Sequence, residues 1–106
     1  MKTELKPKHY EIMRAKHPAY IEAVETLGKA VRDTGPLDEK TLLFVQLGAA
    51  AASHSEGSVL SHARRIMAAG ASLEEVYHAL MGLTCTIGFP TVAAAMSWVR
   101  KNLEND

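Results

Sequence analysis

Cysteine is almost absent from this chain. Cys85 is the only one in 106 residues, which excludes an intrachain disulfide, a CxxC redox pair and any multi-cysteine metal site. A surplus of either charge is absent as well. Lys+Arg 12 against Asp+Glu 12 leaves a formal net charge of +0 at pH 7. A nucleic-acid footprint, or electrostatic docking on an anionic membrane, needs a basic surplus. Neither partner is expected. Long apolar runs are missing too. The longest, Leu42 to Ala52, holds Gln46 and Gly48 and is too short to span a bilayer. Met1 to Lys8 has no apolar core of the signal-peptide kind. A cytoplasmic protein is expected. No stretch alternates in the manner of a strand, and no internal repeat or low-complexity tract stands out.

What the chain has is helical periodicity nearly throughout. Its mass of 11.5 kDa is that of one domain, 1–106. Surface scaling gives roughly 5,800 Å² folded against about 16,700 Å² unfolded, so one modest core is within reach without staples. A first helix is predicted over about Lys8 to Lys16. Pro18 fits the first position of a second helix, with Ile21, Val24, Leu27 and Val31 as its apolar stripe, and Gly35-Pro36 ends it. Asp38 can cap a third helix, with Leu37 and Leu42 at hydrophobic-staple positions. Leu42 to Val45, Leu47 and Ala49 to Ala52 leave that helix almost no polar face. A helix apolar all round must be covered all round. Burial at a subunit interface satisfies this; a central core helix of a monomer is the other reading.

A fourth helix is predicted from near Ser55 to about Ala69, with Gly70 in the left-handed position behind it. Ser72 and Glu75 have capping-box spacing and open a fifth, whose inner face is Leu73, Val76, Tyr77, Leu80 and Thr84. Pro90 opens a sixth, with Val92, Ala95, Met96, Val99 and Leu103 inward. The expected fold is all-α, with six helices.

The segment Ser53 to His62 is where chemistry could sit. Ser58 and His62 are i and i+4 on the fourth helix and share a face, with Ser55 close to it. A helix N-terminus favours developing negative charge, and an imidazole one turn in can move a proton near neutral pH. Equally, Ser55 can be a plain N-cap and His62 a core imidazole bonded to a carbonyl. No third residue is identifiable to orient the imidazole for a serine nucleophile. His54 and His62, eight apart, are not a metal pair on one helix, and a metal site would need Glu56 or others to join them. No cofactor is called for. Cys85 is expected to be a buried, inert thiol.

The chain resembles the carboxymuconolactone decarboxylase and alkyl hydroperoxidase D superfamily from about Gly35 to Val99. The resemblance rests on Leu37-Asp38-Glu39-Lys40-Thr41 opening the apolar helix, Ser55-Glu56-Gly57-Ser58 with His62, Ala68 to Ser72 with Glu74-Glu75, and Gly88-Phe89-Pro90 before an Ala-rich helix. It implies an alkyl hydroperoxidase D-like helical bundle, with a helical extension over about 1–35, a family core over about 36–103, and homotrimers or homohexamers. In the redox branch, Ser55 and Ser58 fall where the CxxC cysteines stand, and His62 where that branch keeps its histidine. The Glu kept upstream of the first Cys falls at Leu43. Serine hydroxyls neither ionise nor cycle through a disulfide, so the peroxidase chemistry of that branch is not expected.

Three functional readings follow. The first is acid/base chemistry on, or binding of, a small acidic or carbonyl ligand between subunits, with His62 as the acid/base, Ser58 and Ser55 orienting the ligand, and Glu56 and His54 beside it. The second is a non-catalytic oligomeric scaffold that kept only the fold. The third is residual thiol chemistry at Cys85.

Overall fold

Pro18, Asp38, Ser55, Ser72 and Pro90 each stand where a helix begins, and these local signals set the architecture. A computed structural model describes residues 8–104; the segment 1–7, read above for a leader, and residues 105–106 lie outside it. The described residues form α1 (Lys8–Lys16), α2 (Pro18–Thr34), α3 (Glu39–Ala52), α4 (Glu56–Ala68), α5 (Leu73–Met81), α6 (Thr84–Ile87) and α7 (Phe89–Leu103). No strand occurs among them. The all-α fold expected from the periodicity is the fold found.

The caps are chemical. The Asp38 carboxylate accepts from the Thr41 N–H at 2.8 Å. Ser72 and Glu75 form the full capping box, at 3.0 and 2.8 Å. Each bond satisfies a donor that the first helical turn otherwise leaves free. Gly70 has φ +106° and Gly88 φ +94°, a region that side-chain-bearing residues rarely adopt. Gly70 turns the chain between α4 and α5. Gly88 ends α6 and starts α7, with Pro90 in the first turn.

The core lies between α3, α4, α5 and α7. Leu43, Leu47, Ala50 and Ala51 of α3 meet Val59, Leu60, Ala63 and Ile66 of α4, with Val76 and Leu80 of α5 and Ala95 and Val99 of α7. The α3–α4 contact is the largest in the molecule, and α4 packs next on α7. Alanines at Ala50, Ala51, Ala63 and Ala95 are buried, so little side-chain bulk separates these helices. No helix of the described residues is long and apolar enough to cross a membrane.

Three expectations need revision. The fifth helix ends at Met81, not beyond Thr84. The Gly82 N–H closes on the His78 and Leu80 carbonyls, the Leu83 N–H donates to the Leu80 carbonyl at 3.0 Å, and the Thr84 hydroxyl donates to the Met81 carbonyl at 2.7 Å. The tightened turn breaks the helix, and Thr84 starts the separate turn α6. Cys85, carried on that turn, is exposed, not buried; it lies beyond the end of α5, outside that helix's inner face. In α2 only Ile21 of the expected stripe is buried, while Val24, Leu27 and Val31 face solvent.

Candidate functional site

The start of α4 is built by its own capping. His54 has φ 58°, a left-handed turn that histidine tolerates better than most side chains. That turn swings the chain from α3 into α4. Ser55 follows as the N-cap, and its hydroxyl oxygen accepts from the Ser58 N–H at 3.3 Å. Ser55 thus has a structural duty independent of any ligand. Glu56 lies exposed in the first turn, where its charge complements the helix dipole. His54 is exposed as well.

His62 sits one turn further in and is partly buried. Its Nδ1 lies 2.8 Å from the Ser58 carbonyl oxygen and 3.3 Å from the Ser58 hydroxyl. A carbonyl oxygen can only accept, so Nδ1 carries the proton and donates it there. Nε2 then keeps a lone pair and is the basic atom of the ring. The same bond means that Ser58 cannot pass its hydroxyl proton to Nδ1. The pairing needed for a serine nucleophile is therefore not made at that nitrogen.

Burial is the main reason the His62 pKa lies below the usual imidazole value of 6.5, and the positive charge of Arg65 adds to it. The Ser58 carbonyl works in the opposite direction by stabilising the charged ring. Desolvation prevails, so the ring is neutral at pH 7 and can take a proton from a bound acid.

The structure brings Ser55, Ser58 and His62 together along one helix face and leaves His54 and Glu56 in solvent beside them. No group of three or more His, Cys, Asp or Glu side chains among the described residues is placed to hold a metal ion. His54, Glu56 and His62 thus do not form a metal set. Cys85 has no second cysteine anywhere in the chain.

Sequence reasoning missed a polar clasp between the first two helices. The Tyr10 hydroxyl and the Arg14 guanidinium of α1 both donate to the Glu25 carboxylate of α2. The Arg14 guanidinium also lies 5.6 Å from the centroid of the Tyr10 ring. The bond to Glu25 is the main cause of a raised Tyr10 pKa. Spacing carries no trace of such a clasp, because its partners lie on different helices.

The comparisons with known proteins give a family and no closer relative. The model of the carboxymuconolactone decarboxylase family matches residues 18–101, which takes in α2 and runs nearly to the end of α7. No curated protein matches the chain, and no solved structure does. With residues 18–101 matched, which is most of its length, the chain belongs to the carboxymuconolactone decarboxylase family.

Proposed function

We propose that the protein binds a small ligand bearing a carbonyl or carboxylate at the start of α4, and that His62 exchanges a proton with it through Nε2. The observation that carries this reading is the Nδ1 bond to the Ser58 carbonyl at 2.8 Å. It fixes the tautomer and orients the ring, and desolvation keeps the ring neutral. A general base near neutral pH needs that combination. The Ser58 and Ser55 hydroxyls can each donate to an oxygen of the ligand, and the free N–H groups of the first turn favour its negative charge. His54 and Glu56 lie exposed beside them. Serines at both positions where a redox relative has cysteines leave no thiol to meet a peroxide there, so peroxidase chemistry is lost. We read the chain as one cytoplasmic domain, 1–106, that assembles with copies of itself, with the ligand between subunits.

One observation favours a second reading. Ser55 is fully accounted for as the N-cap of α4, so that serine is explained without a ligand. On that reading the protein is a non-catalytic oligomeric scaffold. A thermal-shift panel of small lactones, keto acids, hydroxy acids and metal ions separates the two, run on wild type and on His62→Ala. A ligand at a hundredfold excess over its dissociation constant stabilises by about 2.7 kcal/mol. The site reading expects an organic acid or carbonyl compound to shift wild type and to leave His62→Ala unmoved. No shift from any member of the panel, or an equal shift in both proteins, contradicts it and favours the scaffold.

A further inference from the structure

The α4 residues on the face of the candidate site do not stop at His62. Ser55, Ser58, His62 and Arg65 follow one another at spacings of three, four and three, which keeps them on one face of a helix. All four are partly buried. Val59, Ala63 and Ile66, one position further on, belong to the core, and Glu56 and Gly57 are exposed. The stripe is thus a polar edge along the packing surface of α4, and Arg65 is its one permanently charged member. Helical side chains lean toward the N-terminus of their helix. Arg65 therefore leans over His62, which precedes it by one turn. Two influences lower the His62 pKa: burial is the larger and the Arg65 charge the smaller. A charge acts in this way only from nearby.

Arg65 holds no acid of its own. The described residues pair Arg14 with Glu25 and Lys29 with Asp33, and no carboxylate among them lies within ion-pair reach of Arg65. A guanidinium presents five donors in a rigid fork that matches a carboxylate. A place in the last turn of α4 suits the helix dipole. That duty needs neither partial burial nor the face shared with His62. Residues three apart on a helix have Cβ atoms about 5–6 Å apart. One short molecule can therefore span both groups, with a carboxylate on Arg65 and a proton-exchanging atom at Nε2 of His62.

We infer that Arg65 holds the carboxylate of the ligand at the start of α4, so that the site selects short organic acids over their uncharged counterparts. The inference rests on the function proposed above and narrows its ligand to an anion.

Nitrogen-15 spectra of the full-length protein, following the His62 ring and the Arg65 Nε–H during titration, test it. The probes are pyruvate, 2-oxobutyrate and levulinate, each beside its neutral amide, with δ-valerolactone as an uncharged ligand. At least one acid is expected to move both signals in wild type and to bind roughly tenfold or more tighter than its amide. Arg65→Gln is expected to bring that ratio to about one, and Arg65→Lys, a point charge without the fork, to fall between. Silence of the His62 ring toward every probe overturns the proposed function and the role of Arg65 together. A ring that answers the lactone alone, or acids and amides alike, overturns the role of Arg65 and leaves the site standing. A ratio that Arg65→Gln leaves unchanged gives the carboxylate to the first turn of α4 and likewise overturns the role of Arg65 alone. Should Arg65→Gln unfold, the wild-type Arg65 signal decides: movement with the acids and not with the amides supports the inference, and no movement overturns it.

Discussion

At Ser55 and His62 the same few atoms serve structure and chemistry, and the two duties can be pulled apart. The Ser55 oxygen caps α4, and losing an N-cap costs about 1 kcal/mol. Ser55→Ala is therefore expected to lower stability by about that amount in urea unfolding, while Ser55→Asp, which can still cap, restores it. Stability equal to wild type in Ser55→Ala would mean that the hydroxyl is not a cap and is kept for another purpose. The candidate site was legible in the sequence down to its residue types. The i and i+4 spacing of Ser58 and His62 set them on one face, and the spacing to Ser58 marked Ser55 as a possible cap. The ring's tautomer was not legible. It is decided by the Ser58 carbonyl, whose position relative to Nδ1 depends on the rotamer of His62 and not on the spacing.

At the scale of the elements, local chemistry wrote most of the boundaries. Pro18, Asp38, Ser72, Gly70 and Pro90 act on their own first or last turn, so each could be read from its neighbours alone. The break after Met81 could not. It depends on Gly82, Leu83 and Thr84 closing a tighter turn onto α5, and with it went the expectation that Cys85 is buried. The α1–α2 clasp of Tyr10, Arg14 and Glu25 was invisible for the same reason. Gly88 makes the most direct test at this scale. Its φ of +94° serves both the end of α6 and the start of α7, and an added Cβ meets only the Pro90 ring at 3.9 Å. Backbone strain, with no clash to add to it, should set the cost of Gly88→Ala. The expected loss is about 1–2 kcal/mol in chemical denaturation. An unchanged midpoint would show that the α6–α7 corner relaxes without that conformation.

At the scale of the whole molecule, α3, α4, α5 and α7 build the core, and α2 buries only Ile21. Its stripe was read as apolar, and Ile21 alone of it is buried, because periodicity marks which face is apolar and says nothing about which surface covers it. The exposed Val45 on α3 shows the same thing: the helix is apolar nearly all round, yet only Leu43, Leu47, Ala50 and Ala51 of it are buried. This scaffold holds one imidazole at the start of α4, and the account turns on the state of that ring. The folded His62 pKa lies below the 6.5 of the unfolded chain. The unfolded state therefore takes up the proton first as pH falls. The ring's contribution to stability is intact above 6.5 and is lost as pH drops through the folded value. Proton–nitrogen correlation spectra of the wild-type His62 ring, followed through a pH titration, read its tautomer and its pKa in one experiment. The account predicts a neutral ring protonated at Nδ1, with a midpoint below 6.5. A ring protonated at Nε2, or a midpoint at or above 6.5, would contradict it.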